Sequence, residues 1–250
     1  MPFQKLDEVE RPERTDRIMV SRPAVGRHTP QKAGHDGFVM RIPIASQGYP
    51  FIAFGMMGVI LFLWLDIPVG WGIFGLLTLF VISFFRDPER KSPEQEKAIL
   101  APADGRVLLI EGKEMTPFST GRAVKISIFM SVFNCHVNRI PVSGRIEKVF
   151  YRAGKFYSAN QERASVQNEQ MALLLQTNEG QEISIVQVAG LIARRIVCWV
   201  GSGDTVKRGD RFGMIRFGSR VDLFLPSTVR ILIHRGDKVK AGLTILGEWT

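Results

Sequence analysis

Between Tyr49 and Phe85 the only charged residue is Asp66. No other stretch restricts the fold so strongly. Two apolar runs fill it, 51–65 (FIAFGMMGVILFLWL) and 67–85 (IPVGWGIFGLLTLFVISFF), with Asp66 and Pro68 between them. A helix that crosses a bilayer needs roughly 20 apolar residues. The second run meets that length, and the first does once Tyr49 and Pro50 are included. Pro68 would interrupt a helix continued through both. The pattern therefore predicts a tight helical hairpin turning at Asp66–Pro68, which either crosses twice or re-enters from one face. Lys32 and Arg41 precede it, and Arg86, Arg90 and Lys91 follow. Cations on both flanks place both ends in the cytoplasm. The alternative, a buried core hairpin of a soluble protein, fits poorly with this length and lack of charge.

The hairpin divides the chain into four parts. Residues 1–48 are rich in Arg, Glu, Pro and Gly and read as a mobile cytosolic tail. They are not a secretory signal, because no apolar core appears in their first forty residues. Residues 49–85 form the hairpin, 86–97 a linker and 98–250 a soluble domain. The formal net charge is +9, and residues 98–250 carry most of it, with 21 Lys/Arg against 13 Asp/Glu. A basic surface attracts the phosphates of nucleic acid or of anionic lipid. The adjoining apolar hairpin favours lipid. With no RNP signature, zinc finger or long Lys/Arg run, a nucleic-acid partner is not expected. Cys135 and Cys198 are too few for a disulfide framework or, alone, a tetrahedral zinc site. They read as ordinary half-buried strand residues.

The soluble domain is expected to be mainly β. Candidate strands are 106–111, 123–130, 146–151, 171–176, 182–189, 192–200, 213–217, 221–225 and 229–234, rich in β-branched residues and separated by Gly, Pro and Asn-Glu-Gly turns. A short helix fits within 158–170. One repeat is visible: Gly203-Asp-Thr-Val-Lys-Arg-Gly209 recurs as Gly236-Asp-Lys-Val-Lys-Ala-Gly242. Glycine permits positive φ in such turns and aspartate can bond the turn backbone. The repeat resembles the hairpins of biotinyl/lipoyl-type barrels. That likeness admits a second function, a membrane-anchored carrier or adaptor with Lys207 or Lys240 as the modified lysine. Neither lysine has the Met neighbours such carriers show.

A strand leads into Gly218-Ser219 and another follows. Glycine before serine allows a strained turn in which the Ser219 hydroxyl attacks the preceding carbonyl carbon. That N-to-O acyl shift gives an ester, and β-elimination followed by hydrolysis leaves a pyruvoyl group and ammonia. The dipeptide alone says little, since Gly201-Ser202 matches it equally well. Its surroundings carry the information. Arg216-Phe-Gly-Ser-Arg-Val-Asp-Leu-Phe-Leu-Pro226 closely resembles the cleavage segment of the short bacterial and archaeal phosphatidylserine decarboxylases. Gly48-Tyr-Pro-Phe-Ile52, Phe84-Phe-Arg-Asp-Pro-Glu-Arg90, Ala101-Pro-Ala-Asp-Gly105 and Phe129-Met-Ser-Val-Phe-Asn-Cys-His-Val-Asn-Arg139 resemble further family segments, in order.

The resemblance implies a proenzyme cut between Gly218 and Ser219 into a large chain, 1–218, and a small chain, 219–250, which stay together as a heterodimer. A homo-oligomer is also compatible. The cofactor would be the covalent pyruvoyl group from Ser219, with neither pyridoxal phosphate nor metal. The amine of phosphatidylserine would form a Schiff base with it, carbon dioxide would leave, and phosphatidylethanolamine would be released at an anionic bacterial membrane, with the catalytic domain on the cytoplasmic side. A pyruvoyl decarboxylase acting on another amine remains the alternative within this chemistry.

Longer relatives use an Asp-His-Ser arrangement for self-cleavage. Asp104 maps onto their carboxylate, or is a plain turn aspartate before Gly105. Their His-x-x-His-x-Pro is here His136-Val-Asn-Arg139-Ile-Pro141, so His136 is kept and Arg139 stands where the usual base would be. His136 then serves decarboxylation, self-cleavage or both, and His234 is the reserve base. His28 and His35 lie in the tail. Arg220 stands where longer relatives have threonine and either holds a lipid phosphate or carboxylate or points to solvent. With Arg139 and Arg86 it completes the expected substrate-binding set.

Overall fold

The computed structural model describes residues 42–118, 122–159, 164–191, 195–216 and 219–250. The expected N-terminal tail, with His28 and His35, lies almost wholly outside the described residues.

The apolar stretch folds as two helices, α1 (Tyr49–Trp64) and α2 (Pro68–Phe84), with a short 3-10 turn at Ser46–Gly48 leading into the first. Pro68 occupies the first turn of α2, where a missing N–H costs nothing. Asp66 makes the reversal with φ 54°, a left-handed conformation that a short polar side chain tolerates. Small residues let the helices approach. A Cβ on Gly55 would strike Thr78 Oγ1, and one on Gly58 the Phe74 ring. Leu, Ile, Phe and Trp cover the outside, with Trp64 81% exposed at the tip. The continuous helical segment Ser46–Trp64 is 19 residues long and apolar enough to cross a membrane, whereas Pro68–Phe84 is shorter.

The base of the hairpin is fastened to the rest of the chain. Ala45 N–H donates to Phe85 O and Asp87 N–H to Pro43 O, so the segments entering and leaving the hairpin pair with each other. Phe84 and Phe85 are not merely helix ends. Both are buried, in a cluster with Ala45, Cys135, Val137 and Met214.

The remainder is mainly β. The first strands are β1 (Ala98–Leu100), β2 (Gly105–Met115), β3 (Arg122–Met130), β4 (Val137–Arg139) and β5 (Gly144–Arg152). A single-turn helix, α3 (Ala164–Gln167), precedes β6 (Gln170–Gln176), β7 (Glu182–Val188), β8 (Ile196–Cys198), β9 (Thr205–Val206) and β10 (Arg211–Ile215). Last come β11 (Ser219–Pro226), β12 (Val229–Ile231), β13 (Lys238–Val239) and β14 (Ile245–Trp249). An eight-stranded sheet has the order β13-β2-β3-β11-β7-β6-β5-β9, and two three-stranded sheets have the orders β1-β14-β12 and β4-β10-β8. Ile126, Ile128, Leu173, Ile185, Val221 and Leu223 form the centre of the shared core.

Several expected boundaries move. The strand expected at 221–225 begins two residues earlier, so Ser219 opens β11 and pairs with Met130 rather than sitting in a free turn. Residues 192–194 of the expected 192–200 strand, and Phe217 of the next, are outside the described residues. The strand expected to reach 234 ends at Ile231. Cys135 is fully buried and precedes β4, while Cys198 is half-buried within β8.

The glycine-aspartate repeat is half of a larger duplication. Its two copies form β9 and β13, which pair with the starts of β5 and β2. Those starts are themselves alike: Ala101-Pro-Ala-Asp-Gly-Arg-Val107 and Ile140-Pro-Val-Ser-Gly-Arg-Ile146. The hydrogen bonds match pair by pair. Val107 N–H donates to Asp237 O at 2.9 Å and Ile146 N–H to Asp204 O at 2.9 Å. Leu100 N–H donates to Pro141 O and Arg139 N–H to Pro102 O, so the halves exchange bonds across a local pseudo-two-fold. Asp104 Oδ1 accepts the Ala241 N–H at 2.8 Å, and the equivalent Ser143 Oγ accepts the Arg208 N–H at 3.0 Å. Gly105 and Gly144 are required by close approach, since a Cβ would strike the carbonyls of Phe129 and Gln176. These paired hairpins are consistent with the barrel-like units expected from the repeat.

Candidate active site

The chain passes from one sheet to another between β10 and β11. β10 lies between β4 and β8, and β11 between β3 and β7 in the middle of the large sheet. Phe217 and Gly218, in the crossing, lie outside the described residues. Ser219 lies just beyond it, fully buried, and among the described residues its Oγ has no hydrogen-bond partner. A buried hydroxyl without a partner costs about 1–3 kcal/mol. Such a cost at the head of a central strand marks a chemical site more readily than a structural one.

β3 and β4 bring His136 to the same end. Met130, opposite Ser219, is the last residue of β3. The next four residues turn tightly: Ser131 N–H and Oγ–H both donate to Asn134 Oδ1 at 2.8 Å, and Asn134 N–H donates to Ser131 O at 3.0 Å. Val137 then pairs with Met214 on β10, so His136 runs alongside the end of that strand.

His136 is fully buried, with its ring 4.2 Å from that of Phe84. Its Nδ1 lies 2.9 Å from the Asn134 carbonyl. A carbonyl only accepts, so Nδ1 carries the proton and Nε2 presents a lone pair. Among the described residues Nε2 has no partner. Burial pushes the imidazolium pKa down to about 4, and Arg86 adds to that, against the bond to Asn134 and the more distant Asp104 carboxylate. At neutral pH the ring is therefore an uncharged base whose tautomer is set by a backbone carbonyl.

Asp104 makes its hydrogen bonds to other partners. Arg90 grips its carboxylate with two bonds, 2.6 and 2.9 Å, and also donates to Ala241 O. Arg139 is buried and donates to the carbonyls of Gly209 and Pro88, with Asp87 at 3.7 Å. Asp87 also holds Arg211 at 2.7 Å, which joins the linker to β10. Arg86 donates to the carbonyls of Ser83 and Phe133, tying the foot of α2 to the turn before His136. Arg220 does not point to solvent: it is buried, pairs with Asp222 at 2.8 Å and donates to Ala159 O. His234 lies on an exposed turn, its backbone N–H bonded to Asp237.

The fold thus places Ser219 and His136 at the same end of the domain as the hairpin base, with Asp104 engaged by Arg90 and His234 on an exposed turn. Sequence reasoning missed Asn134, Phe84 as the wall behind His136, and the pairing of Arg90 with Asp104. It also missed a fully buried amide pair, with Gln187 Nε2 donating to Asn138 Oδ1 at 2.8 Å and Asn138 in turn reaching Met130 Sδ. Only Asn134 left a readable signal, the Ser-x-x-Asn spacing of a side-chain-capped turn.

The family model described as phosphatidylserine decarboxylase matches residues 77–247. A phosphatidylserine decarboxylase proenzyme of Syntrophus aciditrophicus is 50% identical over 218 residues, 86% of this chain and 99% of that protein. Its namesake in Desulfotalea psychrophila is 48% identical over 208 residues, 83% of this chain and 97% of that protein. A Geobacter protein of the same name is 49% identical over 213 residues, 82% of this chain and 96% of that protein. With a family model matching most of the chain and likeness covering nearly the full length of each relative, this chain belongs to the phosphatidylserine decarboxylase family.

Proposed function

We propose that this protein converts phosphatidylserine to phosphatidylethanolamine and makes its own prosthetic group by cleavage between Gly218 and Ser219. One observation supports this above the rest: a buried Ser219 hydroxyl without a partner among the described residues, at the same end of the fold as a neutral histidine whose Nε2 is equally unengaged.

In the self-cleavage reading His136 Nε2 takes the Ser219 hydroxyl proton as Oγ attacks the Gly218 carbonyl carbon. The Gly218–Ser219 amide becomes an ester and the residue 219 nitrogen a free amine. Removal of the residue 219 Cα proton then breaks the Cβ–Oγ bond. Gly218 leaves as a carboxylate, and hydrolysis of the resulting enamine releases ammonia. Burial suits both steps, because an excluded solvent cannot hydrolyse the ester prematurely. A pyruvoyl group at residue 219 supplies a ketone for the substrate amine and an electron sink for the carbanion left by carbon dioxide. Around it, His136 holds or returns a proton and Phe84 excludes water. The Arg90–Asp104 pair fixes the turn that carries β2, with the Asp104 charge favouring the protonated imidazole. The lipid substrate fits the apolar hairpin, whose open end lies beside the site; both hairpin ends and the catalytic domain then face the cytoplasm.

Intact mass of the purified protein tests the reading. Two pieces are expected, with the smaller starting at a ketone-bearing residue 219. Ser219→Ala is expected to give one uncut chain without decarboxylase activity. A single uncut wild-type chain that decarboxylates phosphatidylserine would refute it.

A further inference from the structure

The arginines expected to bind substrate are largely spent inside the protein: Arg139 on Gly209, Pro88 and Asp87, Arg220 on Asp222 and Ala159, and Arg86 on Ser83 and Phe133. Arg216 is different. It follows β10 directly, three residues before Ser219. Its Nε is buried with no partner among the described residues. Its guanidinium carbon lies 5.7 Å from the centre of the Phe51 ring. Phe51 is in the first turn of α1 and stacks on Phe85, so Arg216 sits where the hairpin meets the catalytic domain.

Its neighbour across the ladder is another arginine. Met214 pairs with Val197 and Ile215 with Ile196. One step further Arg216 meets Arg195, and the Arg216 N–H reaches the Arg195 carbonyl at 3.4 Å. Like charges directly opposite on antiparallel strands repel. Among the described residues neither guanidinium has a carboxylate partner, and Arg195 is exposed. Burial and the Arg195 charge both work against the Arg216 cation. An arginine pair of this kind is relieved by an anion that takes hydrogen bonds from both planar forks, as a phosphate does.

We propose that Arg216 and Arg195 form the site for the phosphodiester of the lipid headgroup. The inference rests on the decarboxylase reading and adds the residues that hold the substrate. Position supports it in two ways. The phosphates of a bilayer lie at the ends of its apolar spans, the level of Phe51 at the open end of the hairpin. The amine of phosphatidylserine and its phosphate are only a few bonds apart, and three residues of extended chain cover about 10 Å at most. A phosphate on Arg216 therefore leaves the serine moiety within reach of residue 219.

The test uses the full-length, self-processed protein in mixed micelles. Arg216→Gln is expected to raise KM for phosphatidylserine about tenfold, the order expected for loss of a charge-assisted bond. Arg216→Lys, which keeps the charge and loses the fork, should fall between. Arg230→Gln, which removes an exposed charge from β12, should leave KM unchanged. Binding of phosphatidylglycerol, which has the phosphodiester but no amine, is followed in parallel by native mass spectrometry. Wild-type protein should retain it and Arg216→Gln should lose it, an outcome that stands even if decarboxylation itself is not observed. An unchanged KM with unchanged phosphatidylglycerol binding in Arg216→Gln would overturn the assignment. So would binding of inorganic phosphate, in the same native mass spectrometry, with no binding of phosphatidylglycerol, since that would mark a site for free phosphate.

Discussion

Replacing Asp104 measures its work in the scaffold. Asp104 makes two kinds of contact, a two-bond ion pair with Arg90 and acceptance of the Ala241 N–H. The paired side chains are only 9% and 10% exposed. Removing one partner of a buried pair costs about 3–5 kcal/mol, because the other charge is left uncompensated. Asp104→Ala should therefore lower Tm by about 6–20 °C, at about 2–4 °C per kcal/mol for a chain of this size. The second repeat supplies a graded variant. Ser143 holds the equivalent N–H with a hydroxyl, so Asp104→Ser should keep that bond and recover about 1 kcal/mol. Adding Arg90→Met removes the stranded guanidinium and should recover most of the rest, less about 1 kcal/mol for the Ala241 carbonyl that Arg90 also serves. Thermal unfolding in detergent, in a Ser219→Ala background so that every variant is one uncut chain, measures the series. If Asp104→Ser melts with Asp104→Ala, or Asp104→Ala melts within about 1 kcal/mol of the parent, the equivalence of the two turns is wrong.

Two further outcomes follow from the site and the hairpin. The unfolded chain protonates His136 near pH 6.5 while the buried ring resists until about 4, so stability should fall as pH drops through that window. The loss approaches about 3 kcal/mol and levels off below pH 4. His136→Gln should flatten that part of the curve, and self-cleavage should hold its rate from neutral pH down to about 5; an unchanged acid limb in His136→Gln would refute the reading. Gly55→Val should splay the hairpin by driving a side chain into Thr78, lowering the yield of membrane-extracted protein while Gly72→Val, where a Cβ meets nothing within 4 Å, should not.

The hairpin was legible because long apolar helices are written in composition and its turn in Asp66 and Pro68. Most long strands were legible from β-branched runs. The rest was hidden for identifiable reasons. β4, β9 and β13 are two or three residues long, too short for any periodicity to register. The Ala101–Val107 and Ile140–Ile146 repeat keeps only Pro, Gly and Arg in common, and its likeness emerges from matched backbone bonds rather than letters. Ser219 was singled out through its neighbours in the chain. The partner of His136 was not, because a backbone carbonyl leaves no residue type to recognise. Pairs such as Asp87 with Arg211 join residues more than a hundred positions apart, a distance over which one sequence offers no register.

The position of β11 bears on how a cut chain would hold together. Residues 219–250 supply β11 between β3 and β7, β13 against β2, and β14 against β1. Their Val221, Leu223, Leu225, Val229, Val239 and Leu246 are all in the main core. A break before residue 219 would therefore release a new terminus but no piece. The small chain would stay interlaced like a donor strand in a borrowed sheet, and pulling it out would mean unfolding its host. Maturation would then change the chemistry of one residue while leaving the architecture a single cooperative unit, and the two fragments should melt together at one temperature.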